Sequence, residues 1–275
     1  MFGTDTPLPS SLQVNDVWLV DDTHHGVSVS LNADRLNEKV TWDDGARNLL
    51  NLIKHVIPAY PSTAGWQLDW HESPGRVPVI GVGHSIGGNN VVLAALTEPE
   101  LFTGAFLVEP MCTPKAWEHR QAMALTTLKR KDTWASLEAA AEMRNSPLCK
   151  DWTDAVFDLW LRTSLVPRPS GGVQLATPRW CEATCFASPS APQRAWDALE
   201  QLKIPVGFVM AADTRWMGGE KAAHEMCHRP RRSRHEVAHA GHLIVQEKPE
   251  ELGEAMGRFI ATLGAGVWDQ TDARL

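Results

Sequence analysis

The chain is short of several things. Among its 275 residues there are 5 cysteines, an odd number without framework spacing. That excludes a disulfide scaffold and points to reduced thiols in an intracellular compartment. There is no excess of positive charge: 26 Lys and Arg against 33 Asp and Glu give a formal charge of −7. With a pI near 5.9, the chain carries no electrostatic footprint for nucleic acid. The one basic cluster, Arg229 to Arg234, holds a proline and precedes a strand-like segment, so it reads as a solvated loop. No apolar run is long enough to cross a bilayer, and Met1 to Asp5 lacks the basic start and apolar core of a secretory signal. The expectation is a soluble protein with no membrane and no nucleic acid among its partners. Repeats and low-complexity tracts are also missing.

What is present is organised around one stretch. Val77-Pro78-Val79-Ile80-Gly81-Val82 is short, β-branched and nearly continuous, as a strand buried on both faces of a parallel sheet should be. It breaks into Gly83-His84-Ser85-Ile86-Gly87-Gly88 and resumes as a helical segment from Asn89 to Leu96. This is G-x-S-x-G in the setting that motif requires, strand then sharp turn then helix. Small residues at Gly83 and Gly87 would let strand and helix approach while the turn lifts the Ser85 hydroxyl above the sheet. Helix N-terminal N–H groups, Ile86 first, could then face an oxyanion forming beside Ser85.

Around this stretch, strands and helices alternate. Asn15 to Asp21 reads as a strand, Trp42 to Ile57 as a helix capped by Thr41, and Gly104 to Val108 as a buried strand ending at Glu109-Pro110. Ile204 to Met210, Arg234 to Val237 and a closing helix from Pro249 to Leu263 continue the pattern. Such alternation predicts an α/β fold with a mainly parallel sheet and flanking helices. Between residues 111 and 202 it stops. Helical patterns and a Pro/Gly/Ser-rich passage replace it, with no strand evident, which divides the chain into a core of 1–110 and 203–275 and a helical lid insertion of 111–202. The insertion holds Trp117, Trp134, Trp152, Trp160, Trp180 and Trp196. A tryptophan-rich cover favours a bulky, apolar substrate.

A serine hydroxyl is a weak nucleophile, so it needs an imidazole to take its proton and a carboxylate to orient that imidazole. In the order serine, acid, histidine, His242 follows the last strand and is the expected base, with His239 the alternative. Glu109 and Asp213 each end a strand at the same sheet edge, and the residues alone leave both open as the acid. A competing motif, His224-Glu225-Met226-Cys227-His228, matches H-E-x-x-H and would serve a zinc hydrolase, with Cys181 or Cys185 as a further ligand. Its helix is short and charged, so a solvated helix is the favoured reading, and no metal or cofactor is expected.

Val17-Trp18-Leu19-Val20-Asp21, His24-His25-Gly26-Val27-Ser28, Gly81 to Asn90, Leu101-Phe102 and Leu107-Val108-Glu109-Pro110 together resemble the α/β-hydrolases. More narrowly, they are similar to fungal peroxisomal members of toxin and polyketide biosynthesis, a group that includes the acyl-CoA hydrolase of mycophenolic acid biosynthesis. In that family an Asp-Pro pair after the elbow strand holds the triad acid, so the resemblance favours Glu109 over Asp213. It implies a serine hydrolase acting on an ester or a thioester, such as an acyl-CoA of a bulky acid in secondary metabolism. The other reading is a catalytically silent homologue that binds a pathway intermediate or a partner. The resemblance also supports Ala273-Arg274-Leu275 as a peroxisomal address read by an import receptor, with the cytoplasm as the alternative location. Relatives carry further strands ahead of the elbow unit and a loop donating a second oxyanion N–H. The expectation is therefore a shortened fold, with activity in question if that donor is lost. Oligomeric state is left open.

Overall fold

The computed structural model describes residues 14–36, 41–60, 79–113, 120–186, 190–213 and 218–265. The elbow stretch forms β1 (Ile80–His84) followed by α3 (Ile86–Thr97), and α1 (Gly26–Leu31) and α2 (Trp42–Asn51) precede it. A four-stranded sheet runs in the order β1, β2 (Gly104–Val108), β6 (Val206–Ala211), β7 (Ser233–Ala238). Every pairing in it is parallel, with Ile80 opposite Gly104, Ala105 opposite Val206 and Val206 opposite Ser233.

Side chains alternate across a strand, so a strand apolar at every position must have cover on both faces. β2 and β6 are buried throughout. Ala105, Leu107, Val206, Phe208 and Met210 point into one core with α2, α3, α8 (Ala191–Leu199) and α9 (Glu220–His228). Phe106, Val108, Val209 and Ala211 point into the other, against α10 (Ile244–Glu247) and α11 (Pro249–Gly264). β7 is the outer strand and exposes Arg234 and Glu236; Glu236 is paired with Arg258 of α11. Charge on an outer strand discourages edge-to-edge association.

Within residues 111–202 the described part is not purely helical, which corrects the sequence reading. Alongside α4 (Arg120–Lys129), α5 (Leu137–Ala141), α6 (Asp154–Thr163) and α7 (Arg179–Cys185), they contain a small antiparallel sheet. It is built from β3 (Thr133–Trp134), β4 (Leu165–Pro167) and β5 (Val173–Leu175) in the order β3-β5-β4. The strands are too short for a period-2 signal, and their pairing depends on a turn at Gly171 and Gly172, both at positive φ. A Cβ on Gly172 would stand 2.2 Å from the Trp134 carbonyl oxygen, so the turn closes against β3 only with glycine there.

The segment from Asn15 to Asp21 forms no strand, and Val17 and Leu19 are exposed. A strand persists only when a neighbour takes its backbone hydrogen bonds and a face is buried. Among the described residues, β1 is paired on its β2 side alone. The basic stretch is also less solvated than expected: the Arg229 guanidinium lies 4.3 Å from the Trp196 ring centroid and its Nε donates to the Trp196 carbonyl. Trp117 and Ala273-Arg274-Leu275 lie outside the described residues.

Candidate active site

Ser85 sits between β1 and α3 with φ 52° and ψ −116°, a backbone conformation that L-residues rarely adopt. The surrounding backbone holds it there. Ser85 N–H donates to the Val108 carbonyl, and the Ser85 carbonyl accepts from the N–H groups of Met111 and Asn89. Asn89 is fully buried and ties α3 to the Met111 and Ala191 carbonyls through its side-chain amide. Ile86 opens α3, so its N–H is one of the helix's unpaired donors.

The glycines divide their roles differently from the sequence reading. A Cβ on Gly83 would stand 2.4 Å from the backbone of Gly87, and one on Gly88 would stand 2.7 Å from Pro110 Cβ, whereas one on Gly87 would meet nothing within 4 Å. Closeness is thus enforced at Gly83 and Gly88, because Gly87 contributes its backbone and turns its Cα–H outward. Gly83→Ala should lower stability by roughly 3 kcal/mol through overpacking, while Gly87→Ala should raise it by up to about 1 kcal/mol through helix propensity. Urea unfolding midpoints of the two variants check the contrast.

The Ser85 Oγ lies 3.0 Å from His242 Nε2, and His242 Nδ1 lies 3.2 Å from Glu109 Oε2. A carboxylate only accepts, so Nδ1 carries the hydrogen and Nε2 is free to accept from the serine hydroxyl. Glu109 is fully buried at φ 42°, its N–H bonded to the Val209 carbonyl and its Oε1 accepting from Ala211 N–H at 2.7 Å. Its two oxygens therefore serve different partners. Asp213, the other carboxylate considered, follows β6; its N–H reaches the Ala240 carbonyl at 3.5 Å. His239 is exposed.

His84 was not singled out by the sequence. Its Nε2 donates to the His242 carbonyl at 2.8 Å, and the two rings are 5.0 Å apart. Burial, helped by the neighbouring His242, pulls the His84 pKa from the ordinary 6.5 down to about 4. Folded protein therefore keeps His84 neutral where the unfolded chain would protonate it. Its contribution is fully present above pH 6.5 and is lost as pH falls towards 4. Between those limits, His84→Gln should show a shallower loss of thermal stability than the natural chain, which paired melting curves measure.

The His242 loop also meets the inserted segment. Thr153 N–H donates to the Gln246 carbonyl, and Leu243 packs against the cluster of Cys149, Trp152, Phe157 and Trp160. Trp134, Trp152 and Trp160 lie edge to face, so these tryptophans pack on one another.

The H-E-x-x-H residues lie elsewhere. On α9, His224 and His228 stack at 4.1 Å, and His228 Nδ1 bonds the His224 carbonyl. Glu225 is spent on an ion pair with Arg229. Among the described residues, no third His, Cys or carboxylate joins these two imidazoles in a common ligand shell. Cys185, the suggested extra ligand, stands beside His24 instead.

A type I acyl-CoA thioesterase of Penicillium brevicompactum, mpaH′, is 29% identical over 169 residues, covering 58% of this chain and 36% of that protein. The chain thus spans little more than a third of the length of that relative. The solved structure of the peroxisomal alpha-beta-hydrolase Lpx1 of Saccharomyces cerevisiae superposes with a TM-score of 0.70 at 18% identity, covering 88% of this chain and 66% of that one. An E-2-(acetamidomethylene)succinate hydrolase gives a TM-score of 0.65 at 18% identity, over 86% and 78% of the two chains. These two likenesses concern the fold. A family model described as alpha/beta hydrolase matches residues 2–255. The parallel sheet, the strained serine between β1 and α3 and that match agree, and the chain belongs to the alpha/beta hydrolase family.

Proposed function

We propose that the protein is a serine hydrolase that cleaves an ester or thioester. The observation that carries this reading is the unbroken hydrogen-bonded series from Ser85 through His242 to Glu109. As Ser85 Oγ attacks the substrate carbonyl, its proton passes to His242 Nε2. Glu109 holds the Nδ1–H tautomer and faces the imidazolium that forms. The developing oxyanion lies at the N-terminus of α3, where Ile86 N–H is the nearest donor in sequence. His242 then returns the proton to the leaving thiolate or alkoxide, and water repeats the cycle on the acyl-enzyme, releasing the acid.

The substrate we favour is an acyl-CoA with a bulky, polyketide-like acyl group, made in secondary metabolism. The sequence similarity to an acyl-CoA thioesterase supports the thioester, and the resemblance noted in the sequence supports the pathway class. Residues 111–202 would act as the lid over the site. A peroxisomal location is supported by the likeness to Lpx1 and by Ala273-Arg274-Leu275.

An alkyl fluorophosphonate tests the core of the reading. It should add once per chain, at Ser85, and should leave Ser85→Ala unlabelled. Equal labelling of both proteins would overturn the proposal.

A further inference from the structure

A second convergence of reactive side chains lies outside the Ser85 site. His24 and His25 occupy the turn before α1, and Cys185 ends α7, about 160 residues later in the chain. His24 Nε2 is 2.9 Å from Cys185 Sγ, and His25 Nε2 is 4.0 Å from the same sulfur. One ligand atom from each of the three lies within 4.8 Å of the others. His24 and Cys185 are buried, at 1% and 3% exposure, and His25 is half-buried.

Two imidazole nitrogens converge on this sulfur, whose own hydrogen has the Cys181 carbonyl oxygen 3.5 Å away as a partner. A tetrahedral ion with a metal–sulfur bond near 2.3 Å and metal–nitrogen bonds near 2.0 Å sets sulfur and nitrogen about 3.5 Å apart. The two observed separations, 2.9 and 4.0 Å, fall on either side of that value. Shifts of about half an ångström would bring both to it.

The surroundings fit as well. Asp22 Oδ1 lies 3.7 Å from His24 Nδ1, a buried nitrogen without a hydrogen-bond partner among the described residues. A carboxylate there favours hydrogen on Nδ1 and leaves the Nε2 lone pair facing the sulfur, as metal-bound histidines require. His25 Nδ1 is likewise buried and without a partner. The cage is held in place independently of the three ligands: Gly26 N–H donates to Thr177 Oγ1, and Trp42 Nε1–H donates to the Cys185 carbonyl.

We propose that His24, His25 and Cys185 form a binding site for a zinc-class divalent cation, which fastens the turn before α1 to the end of α7. The fourth position is left to water. Binding expels the Cys185 proton to solvent, leaving a thiolate on the metal. Zinc suits a set of two imidazoles and one thiolate; calcium and magnesium, which take oxygen ligands, do not.

Cobalt(II) is a suitable probe because a cobalt–thiolate bond gives a near-ultraviolet charge-transfer band. Metal-stripped protein, titrated with cobalt, should develop that band to one equivalent per chain, and zinc should abolish it. Cys185→Ser should lose the band, whereas Cys181→Ser and the His224→Ala/His228→Ala pair should keep it. His25→Ala, which leaves the sulfur in place, should bind cobalt at least about tenfold more weakly. Zinc should raise the melting temperature of the natural chain and not that of Cys185→Ser. Cobalt bound without the band, a band that survives Cys185→Ser, or binding lost with His224 and His228 would each overturn the site. Should Cys185→Ser fail to fold, the band and the weakened affinity in His25→Ala decide the matter.

Discussion

Ser85→Ala should reduce turnover of an acyl thioester by about 10⁵–10⁶-fold while leaving the fold intact. The hydroxyl is the sole group in the Ser85–His242–Glu109 series that can form the acyl-enzyme, and alanine removes it without adding volume. Because the residues act together, His242→Ala should cost about as much, and the double variant little more than either. Turnover of a p-nitrophenyl ester or a CoA thioester, with melting temperature as a fold control, measures all three. Undiminished turnover in Ser85→Ala would remove the nucleophile from the account. Additive losses in the double variant would show that His242 does not act through Ser85.

Glu109→Gln should cost about 10⁴-fold in kcat, by changing which imidazole nitrogen holds the hydrogen. Ala211 N–H, 2.7 Å from Glu109 Oε1, demands an acceptor. The amide oxygen of a glutamine must therefore face Ala211, which turns its NH2 towards His242 Nδ1. Nδ1 must then accept, the hydrogen moves to Nε2, and His242 can no longer take the serine proton. Size and packing hardly change, so the melting temperature should fall far less than the rate. Asp213→Asn should keep turnover of the same order as the natural chain. If instead Asp213→Asn lost the rate and Glu109→Gln kept it, the acid would have to be reassigned.

These two variants mark where local reasoning ended. The elbow was legible because its requirements are confined to a few consecutive residues: an apolar strand, small residues at the turn and a serine. Which glycines carry the close approach was misjudged in part, since that depends on where each missing Cβ would point. The three short strands in the inserted segment were missed for a related reason. Two or three residues give no periodicity, and β3 meets β5 only across a long stretch of chain, with Thr133 opposite Gln174. The strand expected at Asn15 to Asp21 failed in the opposite direction, with the composition of a strand but no ladder to join.

By itself, then, the amino-acid order determined the fold class, the position of the candidate nucleophile and a short set of candidate partners, because periodicity and turn chemistry act between neighbours in the chain. Only the tertiary structure brought His242 and Glu109 together across 133 residues. Only it set Cys185 between His24 and His25 rather than near His224 and His228. Distance along the chain carries no record of such meetings; they are decided by how the sheet orders its strands and where the helices pack against it.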